Sequence, residues 1–440
     1  MSKKAAFHNL GCKVNSYETE AMRRQLLEGG YEIVPEGEQA DVYIINTCTV
    51  TNIADQKSRQ MLHRAKKQNP DAVVVAAGCY VQARGDEVLA DPAVDIIIGN
   101  NQKGQLLSLL EEYFAGKEEK RAVLADLTGP SCYEELDTGG AESHTRAFLK
   151  VQDGCNQFCS YCIIPYVRGR VRSRLPEDVC KEVRHLAQAG YREVVLTGIH
   201  LSSYGLDFEG EKRTPEAPFG EGLKKLILAV AEIPGIERIR LGSLEPRIIT
   251  EDFVRTLAAC QKICPHFHLS LQSGCDSVLK RMNRHYTAQE YLNKCALLRA
   301  EFEQPAITTD VITGFPGETD EEFAATREFV KEVNFYEMHV FPYSRRKGTR
   351  ADEMPDQVPE AVKKERSREL INLAARMSEE YRQSFVGREV SALLEEPAGE
   401  GFMGGYTKEY IRVKAAGGME LSGRTVTGKI ACRNGDYILE

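Results

Sequence analysis

The chain has 440 residues, beyond the size at which one hydrophobic core stops growing, so two or three domains are expected. Its 42% hydrophobic and 28% charged residues exclude a disordered or fibrous protein, and its formal net charge of -8 excludes a molecule-wide basic field for nucleic acid. Any RNA contact must come from local patches. No apolar run approaches the roughly 18 to 20 residues that span a bilayer, and Met1-Ser2-Lys3-Lys4 leads into Ala5 without a secretory apolar region, which places the chain in the cytoplasm with no membrane contact. In that reducing compartment the 13 cysteines read first as metal ligands or catalytic thiols, not disulfides.

In chain order, Ala5 to Phe7, Val42 to Ile45, Val73 to Ala77 and Val94 to Ile98 are short apolar runs separated by helical stretches. This predicts a parallel sheet covered by helices over residues 1–116. Charge and turn signals from Gly116 to His144, among them Gly129-Pro130 and Gly139-Gly140, predict a connector. A second alternation follows over residues 141–372, with strands expected at Phe148 to Val151, Glu193 to Leu196, Ile236 to Leu241, Phe267 to Leu271, Ala306 to Ile312 and Glu337 to Phe341. Six such units fit a (β/α)6 partial barrel, although the pattern alone also fits an open doubly wound sheet. A charged helix from Glu360 to Arg382 leads to glycine-rich, strand-like pieces at Val390 to Leu394, Tyr410 to Lys414 and Thr425 to Ile430, which predict a small antiparallel β-barrel over residues 375–440. The fold class is α/β with this barrel appended.

Cys155, Cys159 and Cys162 form C-x3-C-x2-C just beyond the first strand of the second domain. Three thiolates on a short loop bind three corners of a four-iron cluster and leave one iron open. A zinc site would need a fourth ligand nearby, and none is in view. Cys12, Cys48 and Cys79 each follow an apolar run of the first domain, in Gly11-Cys12-Lys13-Val14-Asn15, Asn46-Thr47-Cys48-Thr49-Val50 and Gly78-Cys79-Tyr80. The carboxyl ends of parallel strands share one edge, so these three can meet there and hold a second cluster. Cys132, Cys180, Cys260, Cys264, Cys275, Cys295 and Cys432 read as core or incidental.

The radical-type spacing, with Tyr161 before the last cysteine, resembles the radical S-adenosylmethionine superfamily. Together with G-C-K-V-N, N-T-C-T-V-T and A-A-G-C-Y, the whole chain resembles the methylthiotransferase family, with a C-terminal domain like the TRAM module. The resemblance implies two 4Fe–4S clusters: Cys155, Cys159 and Cys162 generating a 5'-deoxyadenosyl radical from S-adenosylmethionine, and Cys12, Cys48 and Cys79 holding the auxiliary, sulfur-supplying cluster. It further implies cofactor contacts from Tyr161, from Thr197 and Gly198 after the second core strand, and from Ile312 and Gly314 after the fifth. Ser243, Glu245 and Gln272 lie near the ends of the third and fourth strands and face the same mouth if the barrel forms.

Arg168, Arg170, Arg172 and Arg174 alternate, so an extended segment would present them as one row able to hold phosphate or carboxylate. Further basic patches are Lys57 to Lys67, Arg345 to Lys347 with Arg350, and Lys363-Lys364 with Arg366 and Arg368. The G-C-K-V-N variant looks most like the branch that methylthiolates C2 of N6-threonylcarbamoyladenosine at position 37, in the anticodon loop of tRNA. One S-adenosylmethionine would be methyl donor and a second the radical source, with a low-potential flavodoxin or ferredoxin as electron donor and a monomer as the working unit. Methylthiolation of isopentenyladenosine or of a ribosomal-protein aspartate, and a non-catalytic RNA-binding iron–sulfur protein, remain as alternatives.

Overall fold

The computed structural model describes residues 2–116, 121–129, 131–139, 145–208 and 219–440. The first domain runs β1 (Lys4–Asn9), α1 (Lys13–Glu28), β2 (Glu32–Ile33), β3 (Val42–Thr47), α2 (Asn52–Gln68), β4 (Val73–Gly78), α3 (Cys79–Ala83), α4 (Gly85–Leu89), β5 (Ile96–Ile98), α5 (Leu106–Phe114) and β6 (Arg121–Val123). Its strands form one parallel sheet in the order β2-β1-β3-β4-β5-β6. Every residue of β3, β4 and β5 is buried, as a sheet covered on both faces requires. Alternate residues serve opposite faces: Ile44, Val75 and Ile98 pack with Met22 and Leu26 of α1 and Leu110 of α5, whereas Tyr43, Ile45 and Val74 pack with Leu62 and Ala65 of α2. The expected connector thus contributes a strand, since Arg121–Val123 pairs with Ile96–Ile98 as β6. Three residues of mixed polarity at a sheet edge leave too short a period to be read from sequence. The charged run at 117–120 lies outside the described residues.

The second domain runs β7 (Arg146–Asp153), α6 (Ile164–Val167), β8 (Arg172–Ser173), α7 (Pro176–Gln188), β9 (Glu193–Gly198), α8 (Glu221–Ala231), β10 (Arg238–Leu241), α9 (Glu251–Ala259), β11 (His266–His268), α10 (Asp276–Arg281), α11 (Ala288–Glu301), β12 (Ala306–Thr313), α12 (Asp320–Val333) and β13 (Glu337–Pro342). Parallel pairing follows chain order, β7-β9-β10 and then β11-β12-β13, with single bridges such as Leu244 to Leu269 joining the two groups. A doubly wound sheet would reverse its order part-way, so the six strands form the partial barrel. The two-residue β8 runs antiparallel to β7 at the open edge.

α13 (Glu360–Gln383) then spans two cores: Leu370, Leu373 and Met377 pack into the partial barrel, and Tyr381 packs against the last domain. The limit expected between residues 372 and 375 therefore falls inside one continuous helix. β14 (Glu389–Pro397), β15 (Phe402–Thr407), β16 (Arg412–Ala416), β17 (Thr425–Arg433) and β18 (Asp436–Leu439) close into a small barrel, antiparallel except where β16 meets β18. It caps the N-terminal end of the partial barrel. Buried Arg238 donates to the carbonyls of Tyr406 and Ser391 at 2.9 and 2.8 Å, and Arg240 to that of Lys408 at 2.9 Å. Among the described residues no helix is long and apolar enough to cross a membrane.

One glycine governs how β7 hands over to the cysteine loop. Gly154 sits at φ +71°, and a Cβ there would lie 1.8 Å from the Arg170 carbonyl oxygen, while Cys155 N–H donates to Gly169 O at 3.0 Å. Only glycine fits this approach. We predict that Gly154→Ala forces the returning segment away at a cost of at least ~1 kcal/mol, lowering Tm and the iron bound after reconstitution. An unchanged Tm and iron content would show that the 169–172 segment yields without loss.

Candidate active site

The carboxyl ends of three neighbouring strands carry the first cysteine trio: Cys12 after β1, Cys48 after β3 and Cys79 directly after β4. Burial pushes the Cys48 thiol up to about 11 and raises that of Cys12, and Cys79 and Cys12 raise the Cys48 thiol further while Cys79 does the same to Cys12. The second trio sits on the loop after β7. Burial pushes Cys155 up to about 11 and raises Cys162 as well, with Cys159 adding to both. Desolvated thiols of this kind hold their protons near neutral pH, and coordination to a metal removes them. Three thiols on one sheet edge and three on one loop are the donor sets that hold a four-iron cluster with one iron left open.

Each trio has a sulfur that accepts from a guanidinium. Arg284 Nη1 donates to Cys159 Sγ at 3.3 Å, and Arg168 Nε donates to Cys79 Sγ at 3.3 Å. Asn100 Nδ2 approaches Cys79 Sγ at 3.5 Å and donates to Val167 O at 2.8 Å. The segment around Arg284 also clamps the radical-type loop: Asn283 Nδ2 donates to Phe158 O at 3.0 Å, and Ser160 N–H and Oγ donate to the carbonyls of Met282 and Arg281 at 3.0 and 2.8 Å. Sequence reading missed Arg284, Asn283 and Asn100 because nothing in their local pattern distinguishes them. They are found only by what they touch.

Buried cations outnumber buried carboxylates beside the first trio. Lys103, Lys150, Arg168 and Arg172 are each at most 1% exposed, and the carboxylates among them are Glu18 and Asp153. Lys103 and Lys150 contact Glu18 at 3.0 and 2.9 Å, and Lys150 contacts Asp153 at 2.7 Å. Burial opposes ionisation of both acids, yet the cations around them hold both below the ordinary carboxylate range. Half-buried Glu134 stands near Lys103 and Lys150, but burial weakens its acidity. The surplus of positive charge suits an anionic, thiolate-bound cofactor at Cys79.

The expected arginine row does not form. Arg168 follows the short helix α6, so the segment is not extended there. Arg168 and Arg172 turn inward to Asp153, and Arg174 pairs with Glu182 and Glu135, which leaves Arg170 exposed. Two of the other basic patches each lose buried members, while Arg345, Lys347, Arg350, Lys364 and Arg368 stay exposed. Arg346 is buried and donates to Asp55 Oδ2 at 2.7 Å and Thr49 Oγ1 at 2.6 Å, and Arg345 pairs with Asp352. Lys363 and Arg366 are buried, the latter on Glu318 at 2.7 Å. The α2 patch persists, with Lys57, Arg59, Arg64 and Lys67 exposed.

Of the residues expected at the cofactor, Tyr161 is half-buried and meets Phe315 edge to face at 6.5 Å, beside Ile312. Thr197 and Gly198 end β9, and Gln152 fills the space against Gly198. Ser243 is exposed beyond β10. Glu245 is buried and taken up by Arg247 at 2.7 Å, and Arg247 reaches Gln157 Oε1 at 3.0 Å in the cysteine loop. Gln272 adopts φ +72° and bridges β12 by donating to Asp310 O at 2.9 Å. Gly314 is buried, its N–H donates to Glu318 Oε2 at 2.7 Å, and Lys363 packs where a Cβ would lie. On the inner face, His268, Asp310 and His339 converge from β11, β12 and β13, with His268 Nε2 3.2 Å from Asp310 Oδ2. Sequence reading gave them no role.

Two family models match the chain: the uncharacterized protein family UPF0004 over residues 4–99, and the radical SAM superfamily over residues 149–330. The threonylcarbamoyladenosine tRNA methylthiotransferase MtaB of Bacillus subtilis (strain 168) is 43% identical over 431 residues, covering 97% of this chain and 93% of that one. The chain belongs to the radical S-adenosylmethionine methylthiotransferase family. The MtaB of Aquifex aeolicus (strain VF5) is 40% identical, covering 95% and 98% of the two chains. A tRNA-2-methylthio-N(6)-dimethylallyladenosine synthase of Clostridium tetani (strain Massachusetts / E88) is 37% identical, covering 88% and 84%. Among solved structures, the radical S-adenosylmethionine methyltransferase TsrM of Kitasatospora setae shares the fold with a TM-score of 0.56 at 16% identity, over 80% of this chain and 77% of that one. Membership of the radical methylthiotransferase family makes this chain an enzyme and implies a 4Fe–4S cluster with S-adenosylmethionine.

The Arg346 contacts have an energetic consequence. This guanidinium joins the core to the loop of Cys48, so removing it leaves the Asp55 carboxylate buried without its cation. We predict that Arg346→Ala costs about 3 kcal/mol of stability, read as a lower denaturant midpoint with iron loss. A change within ~0.5 kcal/mol would mean Asp55 finds water or another partner.

Proposed function

We propose that this methylthiotransferase acts on C2 of N6-threonylcarbamoyladenosine at position 37 of tRNA, converting a C–H bond to C–S–CH3. The observation that carries the reading is the 43% identity, over nearly the full length of both chains, to an enzyme named for that nucleoside. The 37% relatives named for dimethylallyladenosine keep the isopentenyl substrate as the second reading. In this reading the enzyme works in the cytoplasm, and a flavodoxin- or ferredoxin-like protein supplies low-potential electrons.

We assign Cys155, Cys159 and Cys162 to the radical-generating cluster and Cys12, Cys48 and Cys79 to the auxiliary one. When bound, the first cluster and S-adenosylmethionine supply a 5'-deoxyadenosyl radical, and the second holds the sulfur that leaves as methylthio. The chain's own residues place and shield these groups. Tyr161, Ile312, Thr197, Gly198, Gln272 and Ser243 are the assigned contacts for the cofactor, with Glu245 acting through Arg247 on the cysteine loop. Gly314 shapes the turn after β12 from behind. Arg284 holds the Cys159 sulfur, and its bonds to Tyr286 OH at 2.9 Å and Ser270 O at 3.3 Å fix its direction. The division into 1–116, 141–372 and 375–440 stands in this proposal with α13 shared by the last two domains.

Mass spectrometry of tRNA nucleosides from cells lacking the gene, with and without its restoration, tests the substrate. A methylthio group should return on N6-threonylcarbamoyladenosine. Its return on isopentenyladenosine would move the enzyme to the other branch, and no change in any nucleoside would turn the search to a protein substrate. Replacing Cys155, Cys159 and Cys162 together by Ala should abolish formation of 5'-deoxyadenosine, and full cleavage in that variant would end the assignment of that trio.

A further inference from the structure

Arg168 emerges from α6 with its side chain fully buried, and its five N–H groups are shared among separate parts of the molecule. Nε donates to Cys79 Sγ at 3.3 Å, and Nη2 donates to Asn15 Oδ1 at 2.7 Å and Glu18 Oε2 at 3.1 Å. Nη1 donates to Glu18 Oε1 at 2.8 Å and to both Asp153 oxygens at 3.2 Å. Asp153 Oδ1 in turn accepts the Gly154 N–H at 2.8 Å, one residue before Cys155. One side chain therefore touches a ligand of the first trio and, through a single carboxylate, the backbone that begins the second. Burying a guanidinium is costly unless its partners are fixed, and here they are fixed on three elements, α1, α3 and β7. A lysine, with a point charge on a flexible stem, could not make this fork.

We propose that Arg168 is a positioning residue for the auxiliary cluster, which fixes the Cys79 sulfur, ties it to the radical loop through Asp153 and favours the reduced state of that cluster. The last effect follows from charge. An added electron places more negative charge on the ligand sulfurs, and a donor beside one of them stabilises that form more than the oxidised one. Glu18 and Asp153 temper the effect by sharing the same guanidinium. The inference rests on the reading that Cys12, Cys48 and Cys79 hold a cluster.

The test uses the full chain with Cys155, Cys159 and Cys162 replaced by Ala, reconstituted anaerobically with iron and sulfide so that only the auxiliary site is loaded. Iron is counted first: a parent without iron would end the underlying reading, whatever Arg168 does. With iron bound, redox titration followed by electron paramagnetic resonance should give Arg168→Gln at least tenfold less reduced cluster at a fixed potential, about 59 mV for one electron. Arg168→Lys, keeping the charge without the fork, should recover only part of that difference. Glu18→Gln removes a tempering carboxylate and should shift the ratio the opposite way. If Arg168→Gln cannot hold iron, the sign of the Glu18→Gln shift decides. Arg168→Gln with iron and an unchanged ratio, or Glu18→Gln unchanged or shifted toward the oxidised cluster, overturns the proposal.

Discussion

A buried ionic junction organises this enzyme. Glu18 on α1 and Asp153 at the end of β7 lie in different domains, and Lys150, Arg168 and Arg172 surround them without access to water. None of these charges is tolerable alone in such a place. They are stable only if the first domain sits on the mouth of the partial barrel in one orientation, because α1 carries the acid that the barrel's cations need. Arg346 repeats the device on the other flank, reaching Asp55 and Thr49 beside Cys48. An apolar interface of the same area would bind as well and specify less, since apolar contacts slide at small cost while a multiply bonded guanidinium does not.

That orientation gives the chemistry its geometry. Parallel strands end on one edge, so the three cysteines of the first domain and the loop of the second each stand at carboxyl ends, and the ionic junction turns one edge toward the other. The C-terminal barrel closes the opposite end of the partial barrel, where Arg238 and Arg240 exchange hydrogen bonds with backbone carbonyls of β14, β15 and the loop after β15. Between β7 and β13 the strand pairing of the partial barrel is left open. His268, Asp310 and His339 line the inner wall, and the exposed Phe341 lies two residues beyond His339 on the same strand.

The sequence made the strands and the cysteines legible because both are local. β3 and β4 carry the apolar runs Val42 to Ile45 and Val73 to Ala77, β12 is dominated by the β-branched Ile, Thr and Val, and a C-x3-C-x2-C loop announces itself without tertiary context. β6 and β8 were not legible, since three and two residues carry no period and exist only because a neighbouring strand offers hydrogen bonds. The arginine row failed for a related reason. Alternation in Arg168 to Arg174 predicts one face only if the segment is extended, and the α6 turn places Arg168 where Glu18 waits. Charge pattern gives the number of cations but not which of them find a buried acid.

Gly314 shows the same limit at the cofactor. A glycine after a barrel strand reads as room for a ligand, and the structure gives that room to Lys363 and the N–H to Glu318. Glu318 is in turn held by Arg366, so the turn is braced by α13 from outside the barrel. The glycine is required because φ is +66° and because a side chain there would strike Lys363, both properties of the scaffold. Ile312, two residues before the glycine on this strand, packs in one cluster with Tyr161. A contact with the cofactor can come from the apolar residue at the inner face while the glycine two positions later makes that placement possible, and sequence pattern alone does not separate the residue that touches from the residue that allows.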